Sequence, residues 1–145
     1  NNAVDNFSRG DGANRRAPGR TPRSTISPTI VLDGDDARLV VGSPGGSYIP
    51  SAVVHAIVWT LALGADPAAA LAAPRVLPAP SSAEVQVEEG IAADALAALR
   101  ARGYRPVPRP VTERGFGGVH MVLVRPDGVR IGAADPRREG AAVGY

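Results

Sequence analysis

The sequence predicts a single α+β domain with a largely antiparallel sheet. Along the chain, the patterns read as hairpin, helices, strand, helix, edge strand and hairpin. The 145 residues are 44% apolar, which is enough for one hydrophobic core. No stretch repeats at a fixed period, which argues against a repeat architecture. We divide the domain into an irregular segment at 1–27 and an α+β part at 28–145.

The first half of the α+β part predicts a hairpin followed by two helices. Apolar and β-branched residues fill Thr29 to Asp33 and Arg38 to Val41, with turn-forming residues between them. The segment Ser51 to Leu63 is apolar almost all round, which is typical of a buried helix. Asp66 followed by proline is a helix start, so a short helix is expected over Pro67 to Ala73.

The second half predicts a layer of strands around one helix. Residues 74–82 hold three prolines and are expected to form a crossing loop. Ile91 to Arg102 has the pattern of an amphipathic helix, and Tyr104 to Pro108 suits only an edge strand because its prolines lack a ladder donor. Three further strands are predicted, at Glu84 to Glu88, at Val119 to Val124 and at Val129 to Ala133. The Val119 to Val124 strand is apolar on both faces and is therefore expected to be buried.

Charge and composition argue against a nucleic-acid binder, a disulfide-linked domain and a membrane-spanning chain. The net charge is +2, and all 16 basic residues are arginine. Five of them lie near the start, at Arg9, Arg15, Arg16, Arg20 and Arg23. No aromatic residue lies between these arginines, and Phe7 is the only one nearby. Sites for single-stranded nucleic acids combine cations with stacking aromatic rings, so we favour a solvated loop and predict no nucleic-acid partner. The chain has no cysteine, and no apolar run is long enough to span a membrane.

The stretch VVGSPGGS, Val40 to Ser47, is the candidate site. It lacks the lysine of a phosphate-binding P-loop, the spacing of a dinucleotide-binding loop and the G-x-S-x-G of a serine elbow. Two interpretations stay open. The glycines form a plain tight turn, or they bare the backbone so that N–H groups can bind an oxyanion.

The titratable residues do not suggest a separate catalytic centre. His55 lies in the apolar helix and His120 in a strand, so each is predicted to be a core histidine with its hydrogen bonds satisfied. Asp135 is expected to form a surface pair with Arg137 or Arg138. No histidine or carboxylate spacing suits a metal, and we predict neither a metal nor an organic cofactor.

Five short motifs occur in one order along nearly the whole chain. They are NNAVDNFS at Asn1, SPTIVL at Ser27, VGSPGGS at Val41, APRV at Ala73 and GAADPRREGAAVGY at Gly132. This order resembles the small subunit of the γ-glutamyltransferase (γ-glutamyltranspeptidase, glutathione hydrolase) family. The resemblance implies an N-terminal-nucleophile hydrolase, of whose αββα sandwich this chain holds an incomplete part. The family's precursor cuts itself and exposes a threonine, which forms an acyl-enzyme with the γ-glutamyl group.

The resemblance also assigns roles to individual residues. Gly45 and Gly46 match the family's oxyanion-hole pair, and Ser24 and Thr25 match the hydroxyl pair that holds the substrate α-carboxylate. Ala3 and Asn6 stand where glutamyl-specific members carry Gln or Glu and Asp, which bind the substrate's α-ammonium group. Because neither residue is charged here, we expect weaker selection for the γ-glutamyl amine and better use of glutaryl-type acyl groups.

The family's threonine lies upstream of the position matched by Asn1. The chain alone is therefore expected to be inactive, to need the large subunit and the upstream part of the small subunit as partners, and to self-associate without them. The resemblance implies a periplasmic or secreted enzyme, and a cytoplasmic location stays open. Two alternatives also stay open, a non-catalytic binding module that retains the fold and an arginine-driven nucleic-acid binder.

Overall fold

The chain folds into two β-sheets and three α-helices within the residues that the computed structural model describes, 3–78, 82–110 and 116–144. The first sheet is antiparallel throughout, and its strands, in order across the sheet, are β1 (Thr29–Asp33), β2 (Asp36–Gly42), β6 (His120–Val124) and β7 (Arg130–Ala134). The second sheet has the order β3 (Val76–Pro78), β4 (Glu84–Glu88) and β5 (Arg105–Arg109). In it β3 runs antiparallel and β5 parallel to β4. The predicted α+β class and the mainly antiparallel pairing are thus confirmed.

The helices begin where the sequence contains start signals. A 3₁₀ turn at Gly46–Tyr48 leads into α1 (Ile49–Ile57), which continues as a π-helical turn at Val58–Ala62. The second helix, α2 (Pro67–Ala72), is capped by Asp66, whose carboxylate accepts a 2.9 Å hydrogen bond from the Ala68 amide. The third, α3 (Ala93–Ala101), follows β4 and leads into β5. Each predicted helix is therefore present, with ends shifted by a few residues.

One face of the first sheet carries the hydrophobic core. The strand side chains that point to this face pack against α1 and α2. The buried residues of the core are Leu39, Val41, Val119, Met121 and Ala133 from the sheet and its approach, and Ile49, Ala52, Val53, Ala56, Ala70 and Leu71 from the helices. The opposite face, which we call the outer face, presents Ile30, Leu32, Val40 and Val122 with exposed fractions of 62%, 58%, 42% and 36%. Alternation along antiparallel strands explains both faces. On this face Ala142 lies against Gly132, and the described residues leave the apolar side chains of Ile30, Leu32 and Val40 largely uncovered.

Two predictions about individual strands need correction. The segment predicted as a crossing loop at 74–82 contains β3, although residues 79–81 of that segment lie outside the described part of the chain. The strand predicted to be buried on both faces is β6, and its Val122 and His120 are exposed. The uniformly apolar sequence reflects an outer face that is apolar but uncovered. The predicted edge strand is confirmed as β5, which pairs with β4 alone among the described strands.

A buried network of four charged residues joins the two sheets. The Arg75 guanidinium lies 2.5 Å from the Asp135 carboxylate, and both side chains are fully buried. Arg137 lies 2.5 Å from Glu88 and 3.1 Å from Asp135. Glu88 belongs to β4, and Asp135 directly follows β7. These ion pairs therefore tie the end of the first sheet to the middle strand of the second.

Backbone amides also donate hydrogen bonds to the network. The Asp135 carboxylate accepts hydrogen bonds from the amides of Val119 and Arg137, at 2.8 and 3.0 Å. Burial alone would raise the pKa of Asp135, but these amides and the Arg75 charge outweigh it and hold that pKa below its ordinary value. Asp135 is consequently ionised at neutral pH. The predicted pairing of Asp135 with Arg137 is present, but its predicted surface location is wrong, because both side chains are buried. The sequence analysis also missed the second partner, Arg75, which lies 60 residues away in sequence.

Replacing Asp135 by alanine is expected to destabilise the protein by about 3–5 kcal/mol, because the substitution leaves Arg75 buried without its counter-ion. Asp127→Ala is the matched control. It removes a carboxylate from the exposed Arg125–Asp127 pair, where both side chains are about half exposed, and should cost less than about 1 kcal/mol. Urea denaturation of the purified variants measures both effects. Equal losses of stability would contradict the assignment of the buried network as a main stabilising element.

Candidate functional site

The glycine loop, Ser43–Gly46, connects β2 to the 3₁₀ turn before α1. Gly45 has φ 141° and Gly46 has φ 58°, both in the region that favours glycine. A Cβ atom on Gly45 would also lie 3.1 Å from the Gly117 Cα, so the loop needs glycine there for space as well. The Tyr48 amide donates to the Gly45 carbonyl at 3.2 Å, which closes the turn.

The two glycine amides are available as donors. Within the described residues, neither the Gly45 N–H nor the Gly46 N–H donates a hydrogen bond to another group of the chain. Unpaired backbone donors next to each other are a feature of anion-binding loops. The loop is thus a tight turn that also leaves two adjacent N–H groups free, so the two interpretations of the glycines are compatible.

Thr25 lies against the glycine loop. Its hydroxyl donates a 2.7 Å hydrogen bond to the Gly46 carbonyl, across 21 residues of sequence. The neighbouring Ser24 is exposed, and its hydroxyl oxygen accepts from the Ile26 amide at 3.1 Å. The structure therefore brings the predicted hydroxyl pair directly beside the predicted oxyanion pair.

Asn14 connects the rest of the predicted site to this group. Its side-chain amide donates to the Asn6 carbonyl at 2.7 Å, and its side-chain oxygen accepts from the Arg23 amide at 2.9 Å. Arg23 directly precedes Ser24. Sequence reasoning missed Asn14, because a lone asparagine in a polar segment has no pattern that separates it from an ordinary loop residue.

Ala3 and Asn6 form the ends of a short 3₁₀ turn, Ala3–Asn6. Asn6 is partly buried, and Asn14 holds its carbonyl. The first two residues of the NNAVDNFS motif and the final Tyr145 lie outside the described part of the chain. The described geometry thus places Asn6 on the segment that leads to Ser24.

A buried segment, Phe116–Gly118, backs the glycine loop. The Phe116 carbonyl accepts a 2.7 Å hydrogen bond from Arg75, and the Gly117 carbonyl accepts one from Arg138 at 3.2 Å. Gly117 has φ 86°, and a Cβ atom there would lie 2.8 Å from the Ser43 hydroxyl. The buried charge network therefore holds the surface on which the glycine loop rests.

The histidines differ from their predicted roles. His120 is exposed rather than in the core, and its Nδ1 lies 3.0 Å from the Gly118 carbonyl. His55 is partly buried in α1, but its Nε2 has no hydrogen-bond partner within the described residues, so the prediction of a satisfied histidine is wrong. Burial and then the nearby Arg75 charge lower the pKa of His55 to about 4, and the ring is neutral at pH 7.

The described ranges lack two other kinds of functional feature. These residues contain no cluster of three or more histidine, cysteine or carboxylate side chains able to hold a metal ion. None of the helices that the structure describes is both long and apolar enough to cross a membrane.

Comparison with known proteins gives consistent matches over nearly the whole chain. The family model for gamma-glutamyltranspeptidase matches residues 1–145. A glutathione hydrolase proenzyme of Escherichia coli (strain K12) is 35% identical over 148 residues, covering 94% of this chain and 25% of the relative. The chain thus spans about a quarter of the length of that relative.

Solved structures give the same result. A gamma-glutamyltranspeptidase from Helicobacter pylori superposes with a TM-score of 0.80 at 33% identity, covering 95% of this chain and 80% of that one. A cephalosporin acylase from Bacillus halodurans gives 0.82 at 30% identity, covering 99% of this chain and 27% of the acylase. These likenesses confirm the fold that the resemblance implied.

Gly117→Ala is expected to destabilise the protein more than Gly103→Ala does. The substitution adds a positive-φ strain of about 1–2 kcal/mol and an overpacking cost of about 1–3 kcal/mol against the Ser43 hydroxyl. Gly103→Ala is the control, because Gly103 has φ 84° but open space around its Cα. Thermal unfolding of both variants separates strain from packing, and equal shifts in Tm would show that the contact with the glycine loop is unimportant.

Proposed function

The chain belongs to the gamma-glutamyltranspeptidase family, and on this premise we propose that it is one part of an N-terminal-nucleophile amidohydrolase. The proposed enzyme cleaves or transfers γ-glutamyl or related glutaryl-type acyl groups. The observation that carries the proposal is the pair of unpaired amides at Gly45 and Gly46, held beside the Thr25 hydroxyl. In this enzyme the chain supplies the oxyanion hole and part of the acyl pocket.

The nucleophile of the proposed reaction is a threonine, and no threonine of this sequence can take that role. Thr25 is an internal residue, so it has no free α-amine to act as a base. The nucleophile is instead an N-terminal threonine upstream of Asn1. Its oxygen attacks the amide carbonyl, its α-amine accepts the hydroxyl proton, and the carbonyl electron pair moves onto the oxygen. Collapse of this intermediate expels the amine with that proton, and water or an amino acid then takes the acyl group.

The amides of Gly45 and Gly46 are proposed to bind the negative oxygen of that intermediate. Preorganised donors stabilise the charge only as it develops, so they lower the barrier more than they favour substrate binding. No metal or organic cofactor is required for this chemistry. The hydroxyls of Ser24 and Thr25 are proposed to donate hydrogen bonds to the substrate carboxylate. For this, Thr25 turns its one hydroxyl hydrogen from the Gly46 carbonyl to the bound carboxylate.

Ala3 and Asn6 are proposed to set the acyl specificity. Neither side chain carries a charge that could pair with an α-ammonium group. Loss of a charged hydrogen bond is worth about 1.5–3 kcal/mol, so a γ-glutamyl substrate gains less here than in a site with a carboxylate. A glutaryl group lacks the amine and loses nothing at this position.

The outer face supports a proposal about the partner. Ile30, Leu32 and Val40 form an exposed apolar strip on one face of the first sheet. We propose that the large subunit and the upstream part of the small subunit of the same precursor cover this face. The same strip explains why the isolated chain is expected to self-associate, since uncovered apolar sheet faces promote association.

The full-length protein is expected to consist of two chains after self-cleavage, with the smaller one beginning at a threonine upstream of Asn1. Intact-mass measurement and N-terminal sequencing of the natural product test this. The purified 145-residue chain should not hydrolyse γ-glutamyl or glutaryl anilides. A single uncut product would instead favour a binding module, which the uncharged Ala3 and Asn6 also fit.

The processed enzyme is expected to use a glutaryl anilide at least as well as the γ-glutamyl anilide. Asn6→Asp restores a carboxylate for the ammonium group and should raise the γ-glutamyl to glutaryl ratio of kcat/KM by about 10- to 100-fold. Ser82→Asp adds the same charge at an exposed position just before β4 and should leave the ratio unchanged. A strong γ-glutamyl preference in the unsubstituted enzyme would refute the specificity proposal.

A further inference from the structure

We infer that Ser43 is a positioning residue that aims the Gly45 amide at the reacting oxygen. The inference rests on the proposed function, since it concerns the same oxyanion site. It comes from the way hydrogen bonds hold the peptide units of the glycine loop. Ser43 lies one residue before the proline of that loop and is partly buried.

The Ser43 hydroxyl makes two backbone contacts. It donates a 2.6 Å hydrogen bond to the Pro44 carbonyl. Its oxygen accepts a 3.3 Å hydrogen bond from the amide of Gly118. The hydroxyl therefore connects the glycine loop to the buried Phe116–Gly118 segment.

The contact with Pro44 determines the direction of the next amide. The Pro44 carbonyl and the Gly45 N–H belong to one planar trans peptide, in which the two groups point in opposite directions. A hydrogen bond that fixes the carbonyl therefore also fixes the N–H. Pro44 has a hydrocarbon side chain and Gly45 has none, so neither residue can hold this peptide plane by a side-chain hydrogen bond of its own.

The second proposed donor is held in a different way. The Gly46 N–H shares its peptide with the Gly45 carbonyl, which accepts a 3.2 Å hydrogen bond from the Tyr48 amide. Backbone geometry of the turn is therefore enough to orient the Gly46 amide. The Gly45 amide depends on the side chain of Ser43, so a side-chain substitution can disturb one donor and spare the other.

The surroundings of Ser43 support a close fit. Gly117 has a positive φ, and a Cβ atom there would lie 2.8 Å from the Ser43 hydroxyl and 3.0 Å from the Pro44 carbonyl. Gly117 and Gly118 are both buried. The buried backbone of Gly117 thus packs directly against Ser43 and restricts the position of its hydroxyl.

The test uses the full-length, self-processed protein with an anilide substrate, and rates are expressed per cleaved enzyme. Ser43→Ala should lower kcat by about 10-fold and change KM by less than about twofold, because a misdirected donor loses part of the 10²–10³-fold effect of one oxyanion donor. Ser43→Thr keeps the hydroxyl and should recover most of kcat. Ser82→Ala is the control, because it also removes a hydroxyl that accepts from a backbone amide, that of Glu84.

The outcomes separate this inference from the proposed function. An active enzyme whose kcat is unchanged by Ser43→Ala would overturn the inference and leave the proposed function standing. If the unsubstituted protein has no amidase activity, the proposed function fails, and crystal structures of the full-length protein and of its Ser43→Ala variant still decide the point. A rotated Pro44–Gly45 peptide in the variant supports the positioning role, and an unchanged peptide overturns it.

Discussion

The buried charge network is the constraint on which the rest of the structure depends. Arg75, Glu88, Asp135 and Arg137 come from separate parts of the chain and meet between the two sheets. An ion pair out of contact with water is tolerated only when its remaining hydrogen-bonding groups are also paired. Here backbone amides donate to Asp135, and backbone carbonyls of Leu71, Ala73 and Phe116 accept from the guanidinium groups. Among the described residues, the buried Nε of Arg75 is the one side-chain atom of the network without a hydrogen-bond partner. The network therefore also fixes the loops between the strands and helices.

The same network reaches the candidate site through one short segment. Arg75 holds the Phe116 carbonyl, the next residue is Gly117, and Gly117 lies directly behind Ser43 and Pro44. A displacement of the sheets relative to each other would consequently move the glycine loop. The proposed oxyanion site is built from backbone, and backbone in a loop is only as well placed as the elements that support it.

The sequence predicts the local features of this fold and site better than the long-range ones. The hairpin of β1 and β2, the Asp66 cap and the edge position of β5 follow from alternation, capping chemistry and proline content. The Arg75–Asp135 pair does not, because 60 residues separate the partners and spacing offers no signal for their meeting. The exposure of Val122 does not follow from the sequence, for a related reason. An apolar side chain marks a face that prefers to be covered, but the sequence of this chain does not say what covers it.

Within the candidate site the division is similar. Gly45 and Gly46 stand out in the sequence because they belong to the VGSPGGS motif, and Ser24 and Thr25 lie just before the SPTIVL motif. The contact of Thr25 with Gly46 then connects these two parts of the chain. Asn14 and the hydroxyl of Ser43 act through backbone carbonyls and amides, which any fold offers in large numbers. Their roles depend on which backbone groups come near, and that information appears only in three dimensions.

The proposed oxyanion donors and the proposed specificity residues occupy different segments, and this separation bears on how such an enzyme could change its substrate. The orientation of the Gly45 and Gly46 amides depends on backbone conformation, on Ser43 and on the packing at Gly117. The side chain of Asn6 lies on another segment, attached to the site through Asn14. A change from Asp to Asn at that position alters a charge without altering a peptide plane. In the proposed enzyme, recognition of the α-ammonium group can therefore be lost while the oxyanion site is retained, which is the combination that the uncharged Ala3 and Asn6 and the intact glycine loop present together.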